Sequence, residues 1–135
     1  MPGLKLEIIT PEGKAYSEDV DMVTLPGVEG EMGVYPMHVP LLTQMIPGEV
    51  IALKGGQAYL LAVGEGLIEV TGDHVAILTD MAIAAEHIDE AKVEEARRRA
   101  EARLQEKLSD EEVASVNSAL TRSLAQLRVK RRTRR

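Results

Sequence analysis

The sequence predicts a small β-sandwich followed by an antiparallel pair of α-helices, and three observations carry that prediction. Residues 4 to 80 hold short apolar runs separated by Gly and Pro turns, the mark of closely spaced strands. After Ile88 the apolar residues recur at spacings of three and four, the mark of amphipathic helices. The charge divides at the same place: residues 1–86 carry 3 basic and 13 acidic side chains, residues 87–135 carry 13 and 9. A first domain over residues 1–86 and a helical arm over residues 87–135 follow.

In the first domain, Leu4, Leu6 and Ile8 alternate with Lys5, Glu7 and Ile9 before a turn at Pro11-Glu12-Gly13. Gly27, Gly30 and Gly33 give the backbone freedom to turn, while Pro36, Pro40 and Pro47 stiffen a segment that crosses over. Leu41, Leu42, Met45 and Ile46 then return the chain to a core, and Pro47-Gly48 reads as a turn with glycine at its third position. Ala58–Val63 is a strand after the Gly55-Gly56 turn. Leu67–Val70 and Val75–Leu78 flank Gly72-Asp73 as a two-residue hairpin.

In the arm, Asp89 is the expected N-cap of a helix with the stripe Val93, Ala96, Ala100, Leu104 and Leu108. Glu94 with Arg98 and Glu95 with Arg99 are i,i+4 pairs in the favourable orientation. Ser109-Asp110-Glu111-Glu112 matches a capping box, which starts a second helix with the stripe Val113, Val116, Leu120, Leu124 and Leu127. Helices of about 19 residues each would be roughly 28 Å long folded back and would reach on the order of 60 Å opened end to end. Their shared seam is thin, so the hairpin needs a surface to dock on.

Composition excludes several function classes. With no cysteine, disulfides and thiolate chemistry are ruled out. Three tyrosines and no Phe or Trp argue against base stacking on single-stranded nucleic acid. No apolar run approaches the roughly 18–20 residues that span a bilayer, so membrane association is expected through partners. Neither a nucleophile motif nor a Gly-Lys-Ser/Thr phosphate loop is present, which points to a non-catalytic protein. His74 and His87 lack metal-ligand spacing and read as surface residues, and no metal site is expected. Arg128, Lys130, Arg131, Arg132, Arg134 and Arg135 place six like charges in eight residues, which by themselves read as a solvated, frayed terminus. A nucleic-acid or anion-binding module using this basic tail is the rival reading, disfavoured by the acidic first domain.

The order Gly30-Glu31-Met32-Gly33-Val34-Tyr35-Pro36-Met37-His38-Val39-Pro40-Leu41-Leu42-Thr43, followed by Pro47-Gly48, resembles the first-domain motif of the epsilon subunit of F-type ATP synthases. The chain departs from that motif at Met37, where the family usually has glycine. The resemblance implies a flattened antiparallel β-sandwich, seated between the gamma subunit and the membrane ring of c subunits, with a mobile C-terminal helical hairpin. A rotor subunit of the central stalk is implied, one that couples rotation to ATP synthesis and restrains ATP hydrolysis when the arm extends into the alpha/beta head. Contact with ring and gamma falls to Glu31, Met32 and His38. Against that stands the plainer role of His38 as a histidine satisfied by neighbouring backbone.

Ile88-Asp89-Glu90-Ala91-Lys92-Val93 resembles the family's ATP-binding signature, with lysine in place of arginine and valine in place of alanine. The resemblance implies regulatory ATP at Asp89, Lys92, Arg99 and Arg122, with no cofactor required; read plainly, the segment is a capped helix with a solvated lysine. Contact with the beta subunit in the extended arm is implied for Arg122, Arg128, Lys130 and Arg131. The implied location is peripheral, on the cytoplasmic face of a bacterial plasma membrane in preference to the thylakoid stromal face, without direct insertion and without nucleic acid.

Overall fold

The computed structural model describes residues 3–133, of Thr133 the backbone alone. Among the described residues the chain forms ten strands and two α-helices. The strands are β1 (Leu4–Thr10), β2 (Gly13–Val20), β3 (Met22–Gly27), β4 (Gly30–Val34), β5 (His38–Met45), β6 (Gly48–Lys54), β7 (Gln57–Val63), β8 (Gly66–Gly72), β9 (His74–Thr79) and β10 (Ala82–Ala84). A 3₁₀ turn at Ala85–His87 leads to α1 (Glu90–Arg103) and α2 (Asp110–Thr133).

The sheet runs β10-β7-β6-β3-β5-β8-β9-β1-β2, with β4 paired to β3. It bends where β3 meets β5, because Gly27 and Met45 are the one pair that joins those strands. The result is two layers, β10-β7-β6-β3-β4 and β5-β8-β9-β1-β2, antiparallel throughout except for the parallel pair β1 and β9. The far ends come together again where Tyr16 of β2 stacks on Tyr59 of β7, ring centroids 5.4 Å apart, and Lys54 reaches Glu18 at 3.3 Å. This closure makes the sandwich nearly a barrel.

Strand alternation fills its interior. Leu4, Leu6 and Ile8 of β1, Val23 and Leu25 of β3, Ile68 and Val70 of β8, and Val75 and Ile77 of β9 are all fully buried in one cluster. The expected hairpin at Gly72-Asp73 forms, with Thr71 opposite His74. Two expectations for the middle segment fail. Of Leu41, Leu42, Met45 and Ile46, only Met45 enters the core: the strand pleat turns Leu42 outward, and Leu41 and Ile46 are exposed as well. Gly48 opens β6 and is a close-approach glycine: a Cβ there would sit 3.0 Å from the Pro26 Cβ.

Both helix caps form as the sequence demands. The Asp89 carboxylate accepts the Lys92 N–H at 3.3 Å, and Ser109 and Glu112 exchange reciprocal bonds at 3.2 Å. The helices are unequal, however, at 14 and 24 residues. The first stops at Arg103 in a tightened turn, where Gln105 and Glu106 donate back three residues to Ala102 and Arg103. The second continues through Thr133, with Lys130, Arg131 and Arg132 in its last turn, where cations favour the helix dipole. The frayed basic terminus expected from Arg128 to Arg132 is therefore helical; Arg134 and Arg135 lie outside the described residues.

The apolar stripes are also narrower than expected. Ala96 and Leu124 are exposed, because the arm turns its buried side partly toward the sandwich instead of wholly toward its partner helix. Leu127 and Val129 of α2 and Val93 of α1 pack with Ile88, Ala85 and Ala62 of β7 in a second apolar cluster.

Candidate functional site

Two surfaces have the features of working sites: an apolar rim at one end of the sandwich, and the charged seam beneath the arm. The rim is built by the turn between β4 and β5. Met37 has φ +66°, the one non-glycine residue in the left-handed region among those described. A β-carbon there is unfavourable by about 1–2 kcal/mol. Asp73 of the β8–β9 turn offsets this, its carboxylate accepting the Met37 N–H at 2.8 Å. The side chain is pushed outward, 79% exposed, beside exposed Tyr35, Val39 and Leu42.

Of the three residues assigned to ring and gamma contact, His38 lies in this rim, half-buried, its Nδ1 2.6 Å from the Val39 carbonyl. Glu31 and Met32 do not. They sit on β4 opposite Pro26 and Leu25, at the end of the sandwich where Gly27 meets Met45, a full length of β5 from His38. Glu31 is exposed, and Met32 leans on the core. His74 stays partly exposed at the surface and hydrogen-bonds Glu7, Nε2 to Oε1 2.7 Å, while His87 is exposed. Lys14 and His74 together hold the Glu7 carboxyl below its usual range.

A second apolar area, which the alternation argument did not mark, lies on the outer face of β8 and β9. Leu67 and Leu78 lie opposite one another on β8 and β9 and point out of the sandwich, alternating with buried Ile68 and Ile77, and both are exposed. The signal was the apolar doublets Ile8-Ile9, Leu67-Ile68 and Ile77-Leu78, which put apolar side chains on both faces of a strand. The arm covers the outer face of β6 and β7, whereas this opposite face stays open.

Beneath the arm, charges pair across elements. Arg122 donates to Asp80 at 3.2 Å and to Ser118 at 3.3 Å, and Ser118 in turn donates to Glu65 at 3.2 Å. Arg131 bridges Glu90 and Glu94 of α1 at 3.2 and 3.1 Å, and Lys130 donates to the Ala85 carbonyl at 3.3 Å. Arg132 pairs with Glu49 of β6. The expected Glu95–Arg99 pair forms at 2.9 Å, but Glu94 is taken by Arg97 and Arg131 rather than Arg98. Arg97 foremost keeps the Glu94 carboxyl below its usual range.

The residues assigned to nucleotide are thus engaged separately. Asp89 caps α1 by accepting the Lys92 backbone N–H, the Lys92 residue is exposed, Arg99 holds Glu95, and Arg122 faces the sandwich; among the described residues that cap is the one bond joining any two of them, and their side chains do not meet. Of the four residues assigned to beta-subunit contact, Arg122, Lys130 and Arg131 are bonded inward and Arg128 is exposed. A basic face committed to internal acids offers little to nucleic-acid phosphate, which weakens the rival reading. No helix among the described residues is long and apolar enough to cross a membrane.

Comparison with known proteins matches this arrangement in both parts. Residues 3–85 match the family model of the ATP synthase delta/epsilon chain β-sandwich domain, and residues 86–131 match that of the long α-helix domain of the same chains. The ATP synthase epsilon chain of Dehalococcoides mccartyi is 42% identical over 135 residues, covering 99% of this chain and 96% of that one. The ATP synthase epsilon chain of Bacillus licheniformis is 39% identical, covering 97% of this chain and 100% of that one. A chain in the OSCP/F1/c-ring structure of the Euglena gracilis mitochondrial ATP synthase superposes with a TM-score of 0.76 at 25% identity, covering 90% of this chain and 77% of that one. A central stalk/c-ring structure from Tetrahymena thermophila shares the fold at 12% identity, with a TM-score of 0.64.

Proposed function

Because this chain belongs to the delta/epsilon-chain family of ATP synthases, we propose that it works as a non-catalytic rotor subunit whose sandwich seats the central stalk on the c-ring and whose arm restrains ATP hydrolysis. The observation that carries the reading is the unequal dependence of the two parts. The sandwich closes its own core, whereas α2 fills its apolar stripe against β7 and holds its place with surface ion pairs. Such pairs contribute roughly 0–1 kcal/mol each, so an alternative acidic surface can displace them.

Residue roles follow from placement. The open face of Leu67 and Leu78 is what the gamma subunit covers, and the rim of Tyr35, Met37, His38 and Val39 meets the ring. When the arm leaves the sandwich, Arg122, Lys130 and Arg131 exchange Asp80, the Ala85 carbonyl and Glu90 for acidic side chains of the alpha/beta head, and Arg128 joins them. The chain then lies peripherally on the cytoplasmic face of the membrane, tied to it by its partners.

Truncation after Leu127 in an assembled complex tests the restraint directly. ATP hydrolysis should rise while assembly with gamma persists in moderate salt; unchanged hydrolysis would count against the reading. ATP remains the regulatory ligand to try on the folded arm, through Asp89, Lys92, Arg99 and Arg122. Millimolar ATP should raise the melting temperature, and no shift at saturating ATP removes nucleotide from the scheme.

A further inference from the structure

Glu49 is the charged residue that the fold treats least well. It lies on β6 directly opposite Ala62 of β7, on the outer face that α2 covers with Leu127 and Val129. Its side chain is 9% exposed. One oxygen pairs with Arg132; the other, Oε2, is shielded from solvent without a hydrogen-bond partner among the described residues. The charges that face it are Arg132 and Arg128 of α2 and Glu31 of β4, while β7 and β10 present only the apolar Ala62 and Ile83 at that level.

A half-satisfied carboxylate in an apolar seam costs free energy that a single, largely exposed guanidinium does not fully return. Lifting α2 restores water to both oxygens. We propose that Glu49 is a release element: a carboxylate that docking of α2 forces out of water, so that the folded arm is held below its attainable stability at neutral pH and tightens when Glu49 is neutral.

Burial, the largest influence, pushes the Glu49 carboxyl up, Glu31 adds to this, and Arg132 and Arg128 only partly oppose it. A group that holds its proton more tightly in the docked state favours docking once protonated. Its contribution is complete below the ordinary carboxylate range and is lost as pH rises through the raised value. Acidification from neutrality should therefore close the end of the arm, against the usual acid loosening of salt-bridged helices. Glu94, whose carboxyl is held low, stays ionised over the same window and keeps its bond to Arg131.

The inference rests on the arm being mobile, and the test separates the two. Hydrogen exchange of the full chain, corrected for intrinsic rates, is followed at the amides of residues 126–132 between pH 7 and pH 5, with Ile68 and Val70 as core references. In the wild type, protection of the helix end should rise as pH falls. Glu49→Gln should raise protection at pH 7 on the order of tenfold and remove most of the pH dependence. Arg132→Gln should lower protection in the wild type but have a much smaller effect in the Glu49→Gln background. Weaker protection in Glu49→Gln than in the wild type, or a helix end indifferent to pH, would overturn the proposal. If residues 126–132 exchange only as slowly as Ile68 and Val70 in every variant, the mobile-arm reading fails; the sign of the Glu49 effect is then read from the melting temperature, which Glu49→Gln should raise.

Discussion

The sandwich and the arm are built from the same aliphatic residues, yet they differ in what encloses them. Ile68, Val70, Val75 and Ile77 are sealed between two layers of sheet, each pinned by paired strands on both sides. Leu127 and Val129 close against a single face of β7, with few apolar neighbours in α1. The difference teaches that stability here comes from enclosure more than from composition. One part holds itself; the other is held by whatever surface it meets.

The largest test of that contrast is to open the sealed part. Ile68→Ala should cost about 4 kcal/mol, the loss of a buried aliphatic side chain plus its cavity, and should lower the denaturation midpoint of the whole chain. Leu127→Ala should cost about 3 kcal/mol, but only in arm docking: limited trypsin should cut α2 sooner while strand amides stay protected. If both variants shift a single cooperative transition by the same amount, the contrast collapses. A gain comes next. Met37→Gly should stabilise the sandwich by roughly 1 kcal/mol by removing a β-carbon from the left-handed region, and the same change should weaken ring binding if the exposed Met37 side chain is a contact. Smallest is Arg122→Ala, about 0.5 kcal/mol for a half-exposed pair, visible as faster exchange in α2 with the sandwich melting unchanged.

Much of this fold could be read before the structure, and the misses have a common cause. Asp89, Ser109 and Glu112 announced both helix starts because capping is a local exchange between residues three apart. The Gly72-Asp73 hairpin was legible for the same reason. Positions decided by distant neighbours were not. Leu124 fits a helical stripe but faces away from the sandwich, and Glu94 is claimed by Arg131 from 37 residues away. Gly48 looks like a turn glycine until Pro26 is seen packed on it. Among the site residues, the motif grouped Glu31, Met32 and His38, which the fold places at opposite ends of β5, and the partners of Arg122, Arg131 and Arg132 depend on how the arm folds back, which spacing does not encode.

The parallel pairing of β1 with β9 sets an order of events during synthesis. Lys5 lies beside His74 and Ile9 beside Leu78, so β1 leaves the ribosome 69 residues ahead of its parallel partner. At translation rates of about 5–20 residues per second, that delay is roughly 3–14 s. Through that interval Leu4, Leu6 and Ile8 have only β2 beside them, a nascent hairpin with one greasy face uncovered. The arm follows β9 in the chain, so every strand that it packs on is made before it.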